Sequence, residues 1–563
     1  MLHCDFRRAI VSVLALLLAP LAFPGALRAQ DFIRELQRQA IEGDVSLLGH
    51  WGPVPEQYTY WRSHSNRLIP VYAFGTKGGG DGIDLECYTG ARSVYRNAKA
   101  LQRIYGSLPT NTVNPTAEYM DQTNLAAIQR AAIAAGRKYV FLVVFDGMDW
   151  QTTFAAATYN NRQIAYREGR GTGLHFLDYT AGGTTQYGWM VTAPINEGTK
   201  TDVDKQTLKD SGTPIPGGYR VEKGGPNPWT PGNDPFYPIT KVAAGKSDAV
   251  GEHAYADSAS TATAMCSGEK TYNDAINVDR TGGQVATVAH EAQQKGLKVG
   301  VVTSVPISHA TPASAYAHNV HRDDYQDLTR DLLGLRSIAH PTEALPGVDV
   351  LIGGGWGDEN LRSDSSEGKA QGTNFVPGNL WITPADLQSV DVEHGGKYVV
   401  AIREAGVDGA RRLFAASQQA VDSGRRLFGF YGNDKARGHL PFQTADGNYN
   451  PTIGQKKVAE RYTPADLLEN PTLAEMTSAA LIVLEQSPSG FWLMVEAGDV
   501  DWANHDDNID NSIGAVNSGD RAVKVITDWV EKHSNWKESL LIVTADHGHY
   551  LVLDRPELLT GTP

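Results

Sequence analysis

The sequence predicts an α/β fold, with a mainly parallel central sheet, helices on both faces and long loop insertions. Two patterns carry that expectation. Apolar runs of strand length, such as "YVFLVVF" and "SLLIVT", alternate along the chain with longer helical stretches, and that alternation builds β–α–β units around a sheet buried on both faces. The runs also end repeatedly in Asp, Glu or His. Those are the ends at which open parallel sheets hold their ligands.

Taken in order, residues 1–29 read as an export signal. Arg7 and Arg8 precede "AIVSVLALLLAPLAF", and "PGALRAQ" offers a cleavage point after Ala29. The mature chain is therefore expected in the periplasm or outside the cell. The apolar run is short for a membrane span and Pro20 interrupts it, so no stable membrane anchor is expected. Residues 30–123 form an N-terminal extension of unassigned role, opening with the amphipathic helix "DFIRELQRQAIE". One large domain then covers 124–563. It begins with a helix (124–138) and a buried strand (139–147). Residues 196–250, heavy in Gly, Pro, Lys and Asp, read as an excursion without regular structure. A helix (283–296) and strands at 297–304 and 348–355 follow, then a second polar excursion (356–397) and a strand at 425–432. A helix (471–486), a strand (490–498), a long helix (513–533) and a strand (539–549) complete the pattern.

Composition narrows the function classes. Charged residues make up 20% and hydrophobic ones 41%, as in a soluble globular protein, and the formal net charge is −14. Such an acidic surface disfavours nucleic acid and anionic membrane as partners. Of the three cysteines only Cys87 and Cys266 follow the signal. One bridge is the most they could form, and a zinc site built from several thiolates is excluded. Any metal must be held by His and carboxylate.

Those residues collect after strands. "FLVVFD" ends at Asp146, and "GVVTSVPISHAT" runs out to His309 and Thr311. "FWLMVE" ends at Glu496, with Asp501 and His505 beyond, and "LLIVTADH" ends at Asp546 and His547. On neighbouring strands these carboxylates would converge and repel one another unless cations sat among them. Asp501 with His505, and Asp546 with His547, offer the mixed oxygen and nitrogen donors that suit zinc. Glu496 and Thr311 offer hard oxygens, which favour magnesium. Asp146 could bridge two ions. Two cations about 3.5–4 Å apart would clamp the entering and leaving oxygens of an in-line displacement at phosphorus. The stretch "DSASTAT" (257–263) then acquires a use. A serine at a helix start beside a cation can become a nucleophile, and small neighbours leave room for a phosphoryl group.

In this order the motifs resemble the alkaline phosphatase family. "FDGMD" is similar to its first metal-binding aspartate segment, and "DSASTAT" to its nucleophile signature, with Ser258 in the phosphorylated position. "SHATPASAYAHNVHR" resembles the segment that carries a magnesium ligand and the phosphate-gripping arginine, here Arg322. "VEAGDVDWANH" and "TADHGH" resemble the remaining ligand segments. The resemblance implies two Zn2+ and one Mg2+. Asp501 and His505 would hold the first zinc, and Asp146, Asp546 and His547 the second. Asp146, Thr311 and Glu496, with His309 nearby, would hold magnesium. Ser258 would attack small phosphate monoesters to give a phosphoserine, which zinc-activated water hydrolyses. A homodimer is left open.

The chain departs from the family in three places. The family supplies a further zinc-binding histidine well downstream of its last Asp–His pair, and this chain has none after His549. Either the sequence is incomplete, or another residue completes the first zinc site, with His549, His253 and His439 as unranked candidates. Trp502 follows Asp501 where some members carry Lys or His, and His309 stands where some bacterial members place aspartate. The competing readings are a phosphodiesterase of the same superfamily, and a noncatalytic metal- or phosphate-binding protein whose first zinc site has decayed.

Overall fold

Ten strands form the central sheet: β1 (Ile69–Phe74), β2 (Met120–Asp121), β3 (Tyr139–Phe145), β4 (Gln186–Val191), β5 (Lys298–Pro306), β6 (Val350–Gly354), β7 (Tyr398–Ile402), β8 (Arg426–Phe430), β9 (Phe491–Ala497) and β10 (Ser539–Thr544). The computed structural model describes residues 32–561 apart from 57, 60, 62, 210–213, 231–236, 238–251, 359–369 and 434–437. The expected signal over 1–29 lies outside the described residues.

Across the sheet the order is β7-β8-β6-β5-β9-β3-β10-β1-β4-β2. From β7 to β10 every pairing is parallel. Beyond β10 the direction changes, because β1 runs antiparallel to both β10 and β4. The central strands β9, β3 and β10 are Val/Leu/Ile/Phe runs with both faces buried. Burying each such side chain stabilises the fold by roughly 1.5–3 kcal/mol. Helices cover the sheet, among them Thr123–Ala134, Leu473–Leu484 and the long Ile509–His533.

The sheet therefore has the α/β architecture expected, and the expected strands at 139–147, 297–304, 348–355, 425–432, 490–498 and 539–549 correspond to β3, β5, β6, β8, β9 and β10. Local chemistry trims some elements. The helix expected from 283 starts at Val288, because Thr287 caps it: its side chain accepts from the His290 amide while the His290 ring accepts from the Thr287 amide. Within the excursion expected to lack regular structure, the described part forms two small antiparallel ribbons, Asn196–Glu197 with Ile215–Pro216 and Lys200–Asp202 with Thr207–Lys209. The second excursion contains the helix Pro384–Val390. Residues 30–123 supply β1 and β2 to the main sheet. Cys87 and Cys266 are both free thiols. Among the described residues no helix is long and apolar enough to cross a membrane.

Candidate functional site

Register levels the acidic strand ends. Glu496 on β9 and Thr544 on β10 both pair with Val144 of β3. Asp146 and Asp546, each two residues further on, therefore leave adjacent strands at the same height. Gly147 lets the chain turn there with φ +73°, and a Cβ at this position would lie 2.7 Å from His549 Nε2. Its amide donates to Asp546 Oδ1 at 2.9 Å and fixes that carboxylate.

Ser258 opens the helix Ser258–Ser267, every residue of which is buried. Asp257 is its N-cap, accepting from the Ser260 amide at 2.9 Å. The hydroxyls of "DSASTAT" are what make this burial tolerable. Ser260 donates to Asn273 Oδ1, Thr261 to the Thr192 carbonyl and Thr263 to the Ala275 carbonyl, at 2.9–3.2 Å. Ser258 points its Oγ toward His547 Nε2 instead, at 3.2 Å. Arg322 is held by Asp257, Nη1 to Oδ2 at 3.0 Å, and its other terminal nitrogen lies 3.4 Å from His309 Nε2.

Two sets of donors meet beside Ser258. His547 Nε2 is 3.3 Å from Asp146 Oδ1 and 3.3 Å from Asp546 Oδ2. In the second set, His505 Nε2 is 3.5 Å from Asp501 Oδ1 and 3.2 Å from His64 Nε2, which is itself 3.7 Å from Asp501 Oδ1. Four-coordinate zinc with bonds of about 2.0–2.1 Å sets neighbouring donors about 3.3 Å apart. Both sets are close to that spacing. A third group, Asp146, His309 and Glu496, brings its donor atoms within 4.8 Å of one another, and the Thr311 hydroxyl faces Glu496.

Protonation and unmet bonding both fit cations here. Burial pushes the Asp146 carboxyl well above its usual range, and Asp546, Asp501 and Glu496 add to the rise. Glu496 is pushed up to about 8 by burial and by Asp546, although Thr303 and Thr311 donate to it. Burial opposes ionisation of Asp501 too, but the surrounding imidazoles of His505, His549 and His547 outweigh it and hold that carboxyl well below the usual range. Burial drops His505 to about 3 and lowers His64 and His547, leaving neutral rings with lone pairs. Asp146 Oδ1, Asp546 Oδ2 and Glu496 Oε1 are buried without hydrogen-bond donors. A bound cation would answer both the repulsion and these unmet oxygens.

The structure thus gathers Ser258, Arg322, Asp146, His309, Thr311, Glu496, Asp501, His505, Asp546 and His547 at one rim. It adds His64, which the sequence reading passed over. Because β1 runs against its neighbours, its beginning lies at the rim where β3, β9 and β10 end, and His64 stands five residues before it. A bridge between Ser65 and Gly548 ties this segment to "TADHGH", and the His64 ring stacks on His547 with centroids 3.6 Å apart. The one sequence signal was a histidine before the apolar run "IPVYAF". Of the three histidines left unranked, His549 belongs to the rim, its donor atom within 4.8 Å of those of His64, Asp501 and His547, while the other two have partners elsewhere. His549 Nε2 is 2.6 Å from Asp501 Oδ1, a hydrogen bond that orients the carboxylate. His253 bonds the Thr110 carbonyl and His439 faces Glu460. Trp502 packs edge-on against His309 and His439, its ring centroid 5.9 and 4.7 Å from theirs.

Comparison with known proteins places the chain among relatives. The family profile for alkaline phosphatase matches residues 230–557. Alkaline phosphatase 4 of Bacillus subtilis (strain 168) is 28% identical over 293 residues, which cover 52% of this chain and 49% of that one. The alkaline phosphatase of Escherichia coli (strain K12) is 29% identical over 323 residues, 54% of this chain and 59% of that one. Among solved structures, a cold-active alkaline phosphatase from Shewanella sp. aligns with a TM-score of 0.40 at 20% identity, covering 73% of this chain and 68% of that one. The chain spans about half the length of the curated relatives it matches. Since the family profile covers more than half of the chain and contains the segments that form the rim, apart from Asp146 and His64, the chain belongs to the alkaline phosphatase family.

Proposed function

We propose that this chain hydrolyses phosphate monoesters through a phosphoserine at Ser258. The observation that carries the reading is the pair of donor sets, His64–Asp501–His505 and Asp146–Asp546–His547, spaced for four-coordinate cations with the Ser258 hydroxyl 3.2 Å from His547. His64, Asp501 and His505 would hold one zinc, and Asp146, Asp546 and His547 the second. Asp146, Glu496, Thr311 and His309 would hold magnesium. Bound there, the cations would neutralise the carboxylates, lower the pKa of the Ser258 hydroxyl and draw charge from the phosphoryl oxygens.

Ser258 Oγ attacks phosphorus, forming the Oγ–P bond as the ester P–O bond breaks and the alcohol leaves. Arg322 binds two nonbridging oxygens with its fork of donors. Asp257 keeps that guanidinium aimed, and the positive end of the Ser258–Ser267 helix favours the same anion. Water then attacks the phosphoserine, breaking the Oγ–P bond and releasing inorganic phosphate. A second charged oxygen on the ester favours the monoester over the diester, because Arg322 can address it. The idea of a decayed first site loses its ground if His64 completes the first zinc site. Export belongs to the same proposal and is supported by the run at 1–29.

The test is hydrolysis of a chromogenic phosphate monoester, with its diester and sulfate analogues, by the wild type and Ser258→Ala with zinc and magnesium supplied. Fast monoester turnover that chelator removes and Ser258→Ala collapses is the expected result. Turnover of the diester alone would move the assignment within the superfamily, and no turnover with any metal would end it.

A further inference from the structure

A second cluster of imidazole and carboxylate lies away from the rim. His318 follows the short helix Ala310–Ser314, Asp331 sits in the last turn of the helix Tyr325–Leu333, and His340 comes from the loop beyond it. His318 Nδ1 and His340 Nε2 face each other at 3.1 Å, and His340 Nε2 is 3.6 Å from Asp331 Oδ2. All three donor atoms lie within 4.8 Å of one another. Again the spacing brackets the separation of about 3.3 Å between donors on a four-coordinate zinc.

The surroundings orient each donor inward. His318 Nε2 lies 3.0 Å from the Val285 carbonyl, which can only accept, so the ring's hydrogen is on Nε2 and Nδ1 presents its lone pair. Histidines that ligate metals commonly place their second nitrogen on a carbonyl in this way. Burial, the largest influence on His318, drops it to about 3 and keeps the ring neutral. His290 lies parallel to the His318 ring, with centroids 5.2 Å apart and an interplanar angle of 8°, and limits its rotation. Asp331 is fixed as well. Its Oδ2 accepts from the His318 amide at 2.9 Å and its Oδ1 from the Ser337 hydroxyl at 2.5 Å. Ser337 Oγ in turn accepts from the His340 amide at 3.0 Å, which holds the loop against the helix.

We propose that His318, Asp331 and His340 form a further binding site for a divalent transition cation of the zinc class, separate from the rim. Without the cation a single proton between the two imidazoles satisfies them. With it, His340 carries its hydrogen on Nδ1 instead of Nε2, so that both ring lone pairs and Asp331 Oδ2 turn to the ion. Water would take the fourth position, on the side where the His340 side chain remains 13% exposed. Such an ion clips the loop that carries His340 to the segment that leads, four residues on, to Arg322.

The test uses the full chain, stripped with chelator and then dialysed against zinc, with metal per chain counted by mass spectrometry. Wild type should hold one equivalent more than His340→Ala, and zinc should raise the melting temperature of the wild type further than that of the variant. His340→Ala should keep its phosphomonoester turnover, which separates this site from the rim. His340→Gln serves if the alanine variant does not fold. Crystals of the wild type soaked in zinc should also give an anomalous peak between His318 Nδ1, His340 Nε2 and Asp331 Oδ2. Equal zinc content in wild type and a folded His340 variant, or no anomalous peak at that point, would overturn the proposal.

Discussion

The rim and the His318–Asp331–His340 cluster share donor chemistry and differ in almost everything around it. At the rim, Asp146, Glu496, Asp501 and Asp546 crowd together, and three of them keep buried oxygens or carboxyl protons that nothing in the protein settles. In the second cluster the one carboxylate of the set, Asp331, accepts from a backbone amide and a hydroxyl, although burial pushes it up to about 8. The rim also faces a serine at a helix start and an arginine fork, whereas the second cluster is bordered by the Val285 carbonyl and Ser337. Donor type would suit a cation in both places. Four crowded carboxylates beside the Ser258 hydroxyl would suit chemistry at one of them, and a carboxylate bonded to its own fold would suit a brace at the other.

Removing the nucleophile should separate the two most sharply. Ser258→Ala is expected to lower monoester turnover by at least ~10³-fold, the scale seen when a covalent nucleophile is deleted. Its metal content should stay at the wild-type level, because the Ser258 hydroxyl is not needed to build either donor set. A folded variant that keeps a tenth of wild-type turnover would remove Ser258 from the mechanism. Next in size, His64→Ala should shed one equivalent of zinc and lose turnover by well over ~10²-fold. That loss exceeds what an orienting partner of a ligand contributes, which is about 10–100-fold in metal affinity. His549→Ala is expected within that smaller range: its zinc should weaken but return when the metal is raised. If His549→Ala sheds its zinc outright and His64→Ala does not, the two histidines have exchanged roles.

This pair also marks where the sequence stopped being legible. β3, β9 and β10 could be read because burial on both faces writes a strand as an unbroken apolar run, and Asp146, Glu496 and Asp546 because they follow those runs directly. β1 is just as apolar, yet a run of residues does not record its direction in the sheet. In an antiparallel strand the residue at the ligand rim precedes the run instead of following it, so His64 was on the unexpected side. β2 and the ribbon strands are two or three residues long, too short to leave a periodic pattern. The role of His549 turned on a contact of 2.6 Å that no spacing in the chain encodes. Asp257 was half legible. Its place in front of the small residues of "DSASTAT" can be read in the sequence, but its hold on Arg322, 65 residues away, belongs to the fold.

Those two duties of Asp257 give the smallest and cleanest effect. Oδ1 caps the helix through the Ser260 amide, while Oδ2 receives Arg322 Nη1 and the Asp274 amide. Asn caps a helix about as well as Asp. Asp257→Asn should therefore keep the melting temperature near wild type, but its amide nitrogen would face the guanidinium donor to donor and turn Arg322 aside. KM for a phosphate monoester should rise by several-fold, consistent with about 1 kcal/mol for a hydrogen bond lost from the clamp. Asp257→Ala should add a stability loss of about 1 kcal/mol from the missing cap to the same KM change. A rise in KM shared by both variants, with a stability loss confined to alanine, would separate clamp from cap. If Asp257→Asn leaves KM unaltered, Arg322 reaches the phosphoryl group without being aimed, and the 3.0 Å contact only balances a buried charge.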